Sequence, residues 1–119
     1  MLRRDVLEKA GLMPEEYFLY YEEMDWCERI RKAGFEIWYE PAARVWHQAS
    51  ASTGAESPLQ LFYLTRNRVR FMRRWAGAFP FAFFAGYFSL VATTRALRLL
   101  ILGKKPLATA VARGWYAGF

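Results

Sequence analysis

From Tyr21 onward the apolar positions Tyr21, Met24, Cys27 and Ile30 return every third residue, and Gly34 follows them. That spacing predicts a helix starting at Glu22 with one apolar stripe and a glycine stop. A shorter helix is predicted over residues 6–10, with Asp5 as its N-cap and Gly11 as its C-terminal stop. Residues 12–16 read as a turn, followed by the aromatic run Tyr17, Phe18, Tyr20 and Tyr21. Residues 35–39 alternate around Glu36, are rich in β-formers and end at Pro41, which predicts a strand. Residues 44–47 predict a second one, and 48–56 are small, polar and loop-like.

Ser57-Pro58 opens a long predicted helix, the serine as N-cap and the proline at the first helical position. Leu61, Phe62, Leu64, Val69, Phe71 and Met72 give it apolar faces, and Arg66, Arg68, Arg70, Arg73 and Arg74 supply the rest. Residues 75–94 then carry no charge, and Arg95, Arg98, Lys104, Lys105 and Arg113 follow, wrapped around further leucines. Two strands cannot bury the faces of a sheet by themselves. The expectation is therefore an α/β fragment over residues 1–56, part of a larger domain, followed by amphipathic and hydrophobic helices over residues 57–119.

Composition narrows this picture. The chain has 119 residues, enough for one small domain, and at 55% hydrophobic it is too apolar for charge-driven disorder. One cysteine and one histidine exclude a disulfide framework and a structural zinc cluster. The N-terminus turns acidic at Asp5 before any apolar run, so no signal peptide is expected and the cytoplasm is the default. Charge is segregated: residues 1–40 carry a net −4 and residues 41–119 a net +10. A basic, aromatic tail implies an anionic partner. As a helix, the uncharged stretch reaches about 30 Å, the thickness of a bilayer core. Gly77, Pro80 and Gly86, with arginines on both flanks, favour interfacial helices in a basic collar over a smooth span. Nucleic acid fits less well, because the basic residues flank an apolar stretch where such a surface would be polar.

Three groups of residues are candidates for chemistry. Glu22, Glu23 and Asp25 open the predicted helix beside four aromatics. They either complement the helix dipole or place a general base near a sugar-sized ligand. Asp25 and Arg29, four residues apart, read as a surface pair. His47 at a strand end is either a half-buried ring or one ligand of a metal completed by other residues. The segment Tyr63 to Arg68 places an aromatic ring among cations, on a helix with five arginines and no acid.

In order and spacing, these pieces resemble the bacterial family 2 glycosyltransferases, especially the rhamnosyltransferase-like branch. The resemblance runs over roughly residues 1 to 75. It is carried by Tyr20-Tyr21-Glu22-Glu23-Met24-Asp25-Trp26-Cys27-Glu28-Arg29, which is similar to the family's Tyr-x-Glu-Asp-x-Asp-x-Cys-x-Arg run. Arg31-Lys32-Ala33-Gly34-Phe35, Tyr39-x-Pro41, Val45-Trp46-His47, Ser52-Thr53-Gly54, Ser57-Pro58 and Tyr63-x-x-Arg66-Asn67 continue it. The resemblance implies the C-terminal part of a GT-A-type transferase that uses a nucleotide-diphospho-sugar donor and inverts at the anomeric carbon. Glu23, where the family favours Asp, takes the position of the base, with Asp25 and Glu22 as the other carboxylates open to that role. Arg29 would orient this acidic cluster. His47 would lie by a divalent Mg or Mn and the leaving diphosphate, and Tyr63, Arg66 and Asn67 near the diphosphate or the acceptor. No Asp-x-Asp motif or glycine-rich phosphate loop occurs here, so the isolated chain is expected to be inactive. The expected partners are the donor, a lipid-linked or glycan acceptor and an anionic membrane surface, at the cytoplasmic face of the bacterial inner membrane. The competing reading is a small non-enzymatic module that binds that surface.

Overall fold

A computed structural model describes residues 2–46 and 57–119. In chain order these form α1 (Arg4–Ala10), a short 3-10 turn (Glu15–Tyr17), α2 (Glu22–Lys32), α3 (Pro58–Trp75), α4 (Ala78–Ile101) and α5 (Lys105–Gly118). The cap of α3 forms as its sequence predicts: Ser57 Oγ accepts from the Gln60 N–H at 3.1 Å, with Pro58 in the first turn. At the end of α2, Gly34 takes φ +88°, and the N–H groups of Gly34 and Phe35 close back on the carbonyls of Arg31 and Ile30. This is the left-handed glycine stop the sequence predicts.

The predicted α/β architecture is not present. Among the described residues there is no strand, and residues 35–40 have no regular structure. The physical reason is the lack of a ladder partner: among the described residues, neither 35–39 nor 44–46 has a neighbouring strand for its backbone groups. Trp38, Tyr39, Val45 and Trp46 consequently stand more than four-fifths exposed. Two smaller expectations also fail. Asp5 sits inside α1, paired with Arg3 at 2.6 Å, and Arg3 occupies the cap position. In α2 the buried positions are Asp25 and Ile30, while Met24 is exposed.

The core lies between the last three helices. Leu61, Ala92, Ala110 and Val111 are buried together, with Phe62, Ala96, Leu99, Leu107 and Trp115 packed around them. Ala110, Gly114 and Gly118 recur every four residues on the α5 face toward α3, and Leu61, Thr65 and Val69 do the same on α3. A Cβ on Gly114 would lie 2.5 Å from the Phe62 carbonyl oxygen, and one on Gly118 would lie 2.6 Å from Val69 Cβ. The helices therefore approach to backbone distance, as small residues at every fourth position permit.

Helix α4 covers this pair from one side and leaves its other side bare. Phe88 and Ala92 are buried, whereas Phe79, Phe83, Tyr87, Leu90, Leu97 and Ile101, on the opposite face, are more than half exposed. Among the described residues it is the one helix long and apolar enough to cross a membrane.

Substituting Gly114→Ala forces a methyl into backbone and is expected to cost about 1–3 kcal/mol. Gly86→Ala, with nothing within 4 Å of the added Cβ, is expected to be neutral or stabilising by up to about 1 kcal/mol. Thermal melts of the two variants check both the close α3–α5 approach and the open face of α4.

Candidate functional site

The acidic run is delivered by a loop in an unusual conformation. Phe18, Tyr20 and Tyr21 have φ of 65°, 64° and 75°. Such values cost a non-glycine residue on the order of 1–3 kcal/mol each and persist only where the surroundings impose them. The imposing group is Asn67 of α3, fully buried at 0% exposure. Its Nδ2 donates to the carbonyls of Tyr17 (2.9 Å), Leu19 (2.6 Å) and Tyr20 (2.9 Å), while its Oδ1 accepts from Arg66 Nε at 2.9 Å. Arg66 Nη2 donates to the carbonyls of Glu16 and Tyr17 at 3.1 and 2.9 Å. The rings of Phe18 and Tyr63 meet at 5.2 Å, tilted by 41°, and the Arg66 guanidinium lies 4.6 Å from the Tyr63 ring centre. Asn67, Arg66 and Tyr63 thus hold the loop, and the amide of Asn67 spends its donors on carbonyls.

Asp25 closes the same junction from the other side. Its carboxylate is 0% exposed. Oδ1 accepts from the Tyr17 hydroxyl at 3.0 Å and from Trp75 Nε1 at 2.7 Å, and Oδ2 accepts from Arg29 Nε at 2.6 Å. Arg74 Nε stands 3.5 Å away and also binds Glu16. The expected surface pair of Asp25 and Arg29 is in fact part of a network of five side chains around a buried carboxylate, with Tyr17 buried, Arg29 and Trp75 partly buried and Arg74 exposed. Burial, reinforced by the hydrogen bond to Asp25, pushes the Tyr17 phenol well above its ordinary value. Burial alone would lower the Arg74 guanidinium, but its bond to Glu16 and the charge of Asp25 hold it up.

Glu22 and Glu23 occupy the first turn of α2, directly after the strained loop. Neighbouring residues on a helix point about 100° apart. Glu23 is exposed; Glu22 is half-buried, and its Oε2 has no hydrogen-bond partner among the described residues. His47 lies outside the described residues. Among those described, no three His, Cys, Asp or Glu side chains gather as a metal site, and both Asp25 oxygens are engaged. The described residues by themselves thus gather no ligand set for the divalent metal that the resemblance implies, and His47, the residue it places by that metal, is not among them.

Tyr17, Arg74 and Trp75 are the members of this junction that sequence reasoning missed. The partners of Asp25 lie 8, 49 and 50 positions from it, so no local spacing marks them.

Two predictions follow from the junction. Asn67→Asp keeps the shape but presents acceptors to three carbonyls, so in urea unfolding it should destabilise more than Asn67→Ala, which itself costs at least about 1–3 kcal/mol. Because the folded-state pKa of Tyr17 is raised above its ordinary 10.0, its contribution is complete below pH 10 and is lost as the pH rises further. Tyr17→Phe should remove that part of the alkaline decline.

Comparison with known proteins gives a partial likeness. The chain is 38% identical over 56 residues to N-acetylglucosaminyl-diphospho-decaprenol L-rhamnosyltransferase of two strains of Mycobacterium tuberculosis, a match covering 47% of this chain and 18% of the relative. It is 32% identical over 69 residues, 57% of this chain and 22% of the relative, to the low-salt glycan biosynthesis hexosyltransferase Agl10 of Haloferax volcanii. The chain therefore spans less than a quarter of the length of these relatives. No family model and no solved structure matches. About half of the chain is thus glycosyltransferase-like in sequence.

Proposed function

We propose that this chain is the acceptor-side part of an inverting, family 2-type glycosyltransferase. The enzyme moves a sugar from a nucleotide-diphospho-sugar to a lipid-linked or polysaccharide acceptor of the cell envelope, at the cytoplasmic face of the membrane. The observation that carries this reading is the exposed Glu23 carboxylate, set on the first turn of α2 by a strained loop locked to α3. Strain of this kind concentrates at functional sites. Asp25 is spent on the junction and Glu22 has one oxygen turned inward, which leaves Glu23 as the base. Its carboxylate takes the proton of the acceptor hydroxyl as that oxygen bonds to the anomeric carbon. The bond from that carbon to the diphosphate breaks on the opposite face, and the nucleoside diphosphate leaves with the electron pair. With the donor-binding part outside this chain, the chain alone is inactive.

The bare face of α4 supports the membrane side of this reading, and it equally favours a second one, a non-enzymatic membrane-surface module. Six large apolar side chains on one helical face, with Arg98, Lys104 and Lys105 at its C-terminal end, suit an anionic interface.

The two readings separate by experiment. In a chimera of the mycobacterial rhamnosyltransferase carrying this chain in place of its matching segment, rhamnosyl transfer should persist, and Glu23→Gln should lower kcat about 10²- to 10⁴-fold. Undiminished transfer with Glu23→Gln contradicts the assignment. The isolated chain should float with vesicles containing phosphatidylglycerol, less so as salt rises, and Phe79→Ser with Phe83→Ser should weaken flotation at least about tenfold. Glu23→Gln should leave flotation unchanged.

A further inference from the structure

Helix α4 carries two charges, Arg95 and Arg98, and both fall on one stripe. With Val91 and Leu102 they recur at intervals of four, three and four along α4 and its cap. The stripe runs between the buried side at Phe88 and Ala92 and the bare side at Leu90 and Leu97. A groove of about 590 Å³ follows it, lined by Val91, Arg95, Arg98, Leu99 and Leu102, with Lys104 entering from the start of α5. The volume falls within the range of small-molecule sites. Val91 and Arg95 also line a narrower recess of about 70 Å³ against α3, whose cation is Arg68. Arg68 is held there by the Tyr21 hydroxyl, to which its Nε donates at 2.9 Å, and by the Phe88 ring, 5.4 Å away.

Nothing among the described residues balances these cations. No Asp or Glu follows Glu56 in the sequence. Neither Arg68, Arg95, Arg98 nor Lys104 has a carboxylate within ion-pair distance among the described residues. Arg98, in the last turn of α4, complements that helix's C-terminal dipole. The start of α5 does the reverse. Lys104 and Lys105 stand at its positive end, its first turn has no acid, and no side chain caps it. Helix dipoles therefore account for one cation of the groove and oppose another, whereas an anion in the groove would satisfy both. The bare apolar face beside the stripe indicates which kind of anion fits: one that carries an apolar chain.

We propose that this groove binds the head group of one anionic phospholipid. Arg95 and Arg98 grip the oxygens of its phosphodiester, Lys104 adds a point charge, and the acyl chains lie along Tyr87, Leu90 and Ile101. Guanidinium forks match tetrahedral oxyanions two bonds at a time. Side chains three positions apart on a helix stand about 5–6 Å apart at Cβ, close enough to share one phosphate. General attraction to an anionic surface depends on the number of cations near it; here both charges of α4 stand on one edge of the apolar face, beside a groove. The lipid is not consumed: it seats the chain on the interface with α4 rolled to one side. The proposal rests on the membrane side of the reading above and is independent of Glu23.

The test is calorimetric titration of the chain with dihexanoyl-phosphatidylglycerol, below its micelle concentration and at fixed ionic strength. Saturable one-to-one binding is expected, weakened about 10- to 100-fold by Arg95→Gln or by Arg98→Gln. Arg113→Gln, on α5 and off the groove, should leave it unchanged, as should Glu23→Gln. Both groove arginines are exposed, and far-UV circular dichroism verifies that the variants fold. Dihexanoyl-phosphatidylcholine, with the same chains and no net charge, and glycerol 3-phosphate, with the anion and no chains, should each bind at least about tenfold more weakly. Equal binding of the choline lipid, equal binding of glycerol 3-phosphate, or equal weakening by Arg113→Gln overturns the proposal. Flotation on phosphatidylglycerol vesicles reads the membrane association separately. Flotation without saturable binding of the short-chain lipid keeps that association and overturns the site. Saturable binding without flotation supports the site and removes the membrane association.

Discussion

Everything N-terminal to α3 depends on one buried polar junction. Among the described residues, the first half of the chain buries Val6, Tyr17 and Ile30, none of which joins the apolar core of the helices that follow. Two fully buried polar side chains join the halves. Asn67 reaches from α3 into the loop, and Asp25 of α2 receives Trp75 from the end of α3. Unsatisfied, each would cost several kcal/mol in a dry site. Satisfied as they are, they fix the loop, and with it the direction in which Glu22 and Glu23 leave α2. An apolar contact of the same area would hold the halves together without choosing that direction, because hydrophobic burial is not directional.

The second half is built on a different principle. Helices α3 and α5 meet at backbone distance through Gly114 and Gly118, which leaves little volume between them for large side chains. Apolar bulk is displaced outward onto α4, whose far face has no covering among the described residues. The arrangement makes α3 the element that both halves share. From Leu61 to Val69 one face packs against α5, Arg66 and Asn67 in its middle grip the loop, and Trp75 at its end donates to Asp25.

Much of the helical half was legible in the sequence, because its signals are local. Ser57-Pro58 marks the start of α3, Gly34 marks the stop of α2, and the order of the acidic run carries the likeness to glycosyltransferases. The strands were misread because alternation in residues 35–39 reports only what a residue run prefers, and a strand also needs a neighbour to pair with. The Asp25–Arg29 spacing is that of a surface pair; burial comes from Tyr17, Arg74 and Trp75, whose approach depends on tertiary packing. Asn67 was picked out by its place beside Arg66 in a motif, but nothing local indicated that its partners would be backbone carbonyls. His47 lies outside the described residues.

The central claim is that the loop and α2 are fixed by α3 and have no independent stability. Native-state amide hydrogen exchange tests it most directly, since it resolves opening segment by segment. The account predicts that α2 amides from Cys27 to Lys32 open together with those in the middle of α3, with one shared dependence on denaturant. Exchange of α2 through its own opening, with α3 still protected, would contradict it.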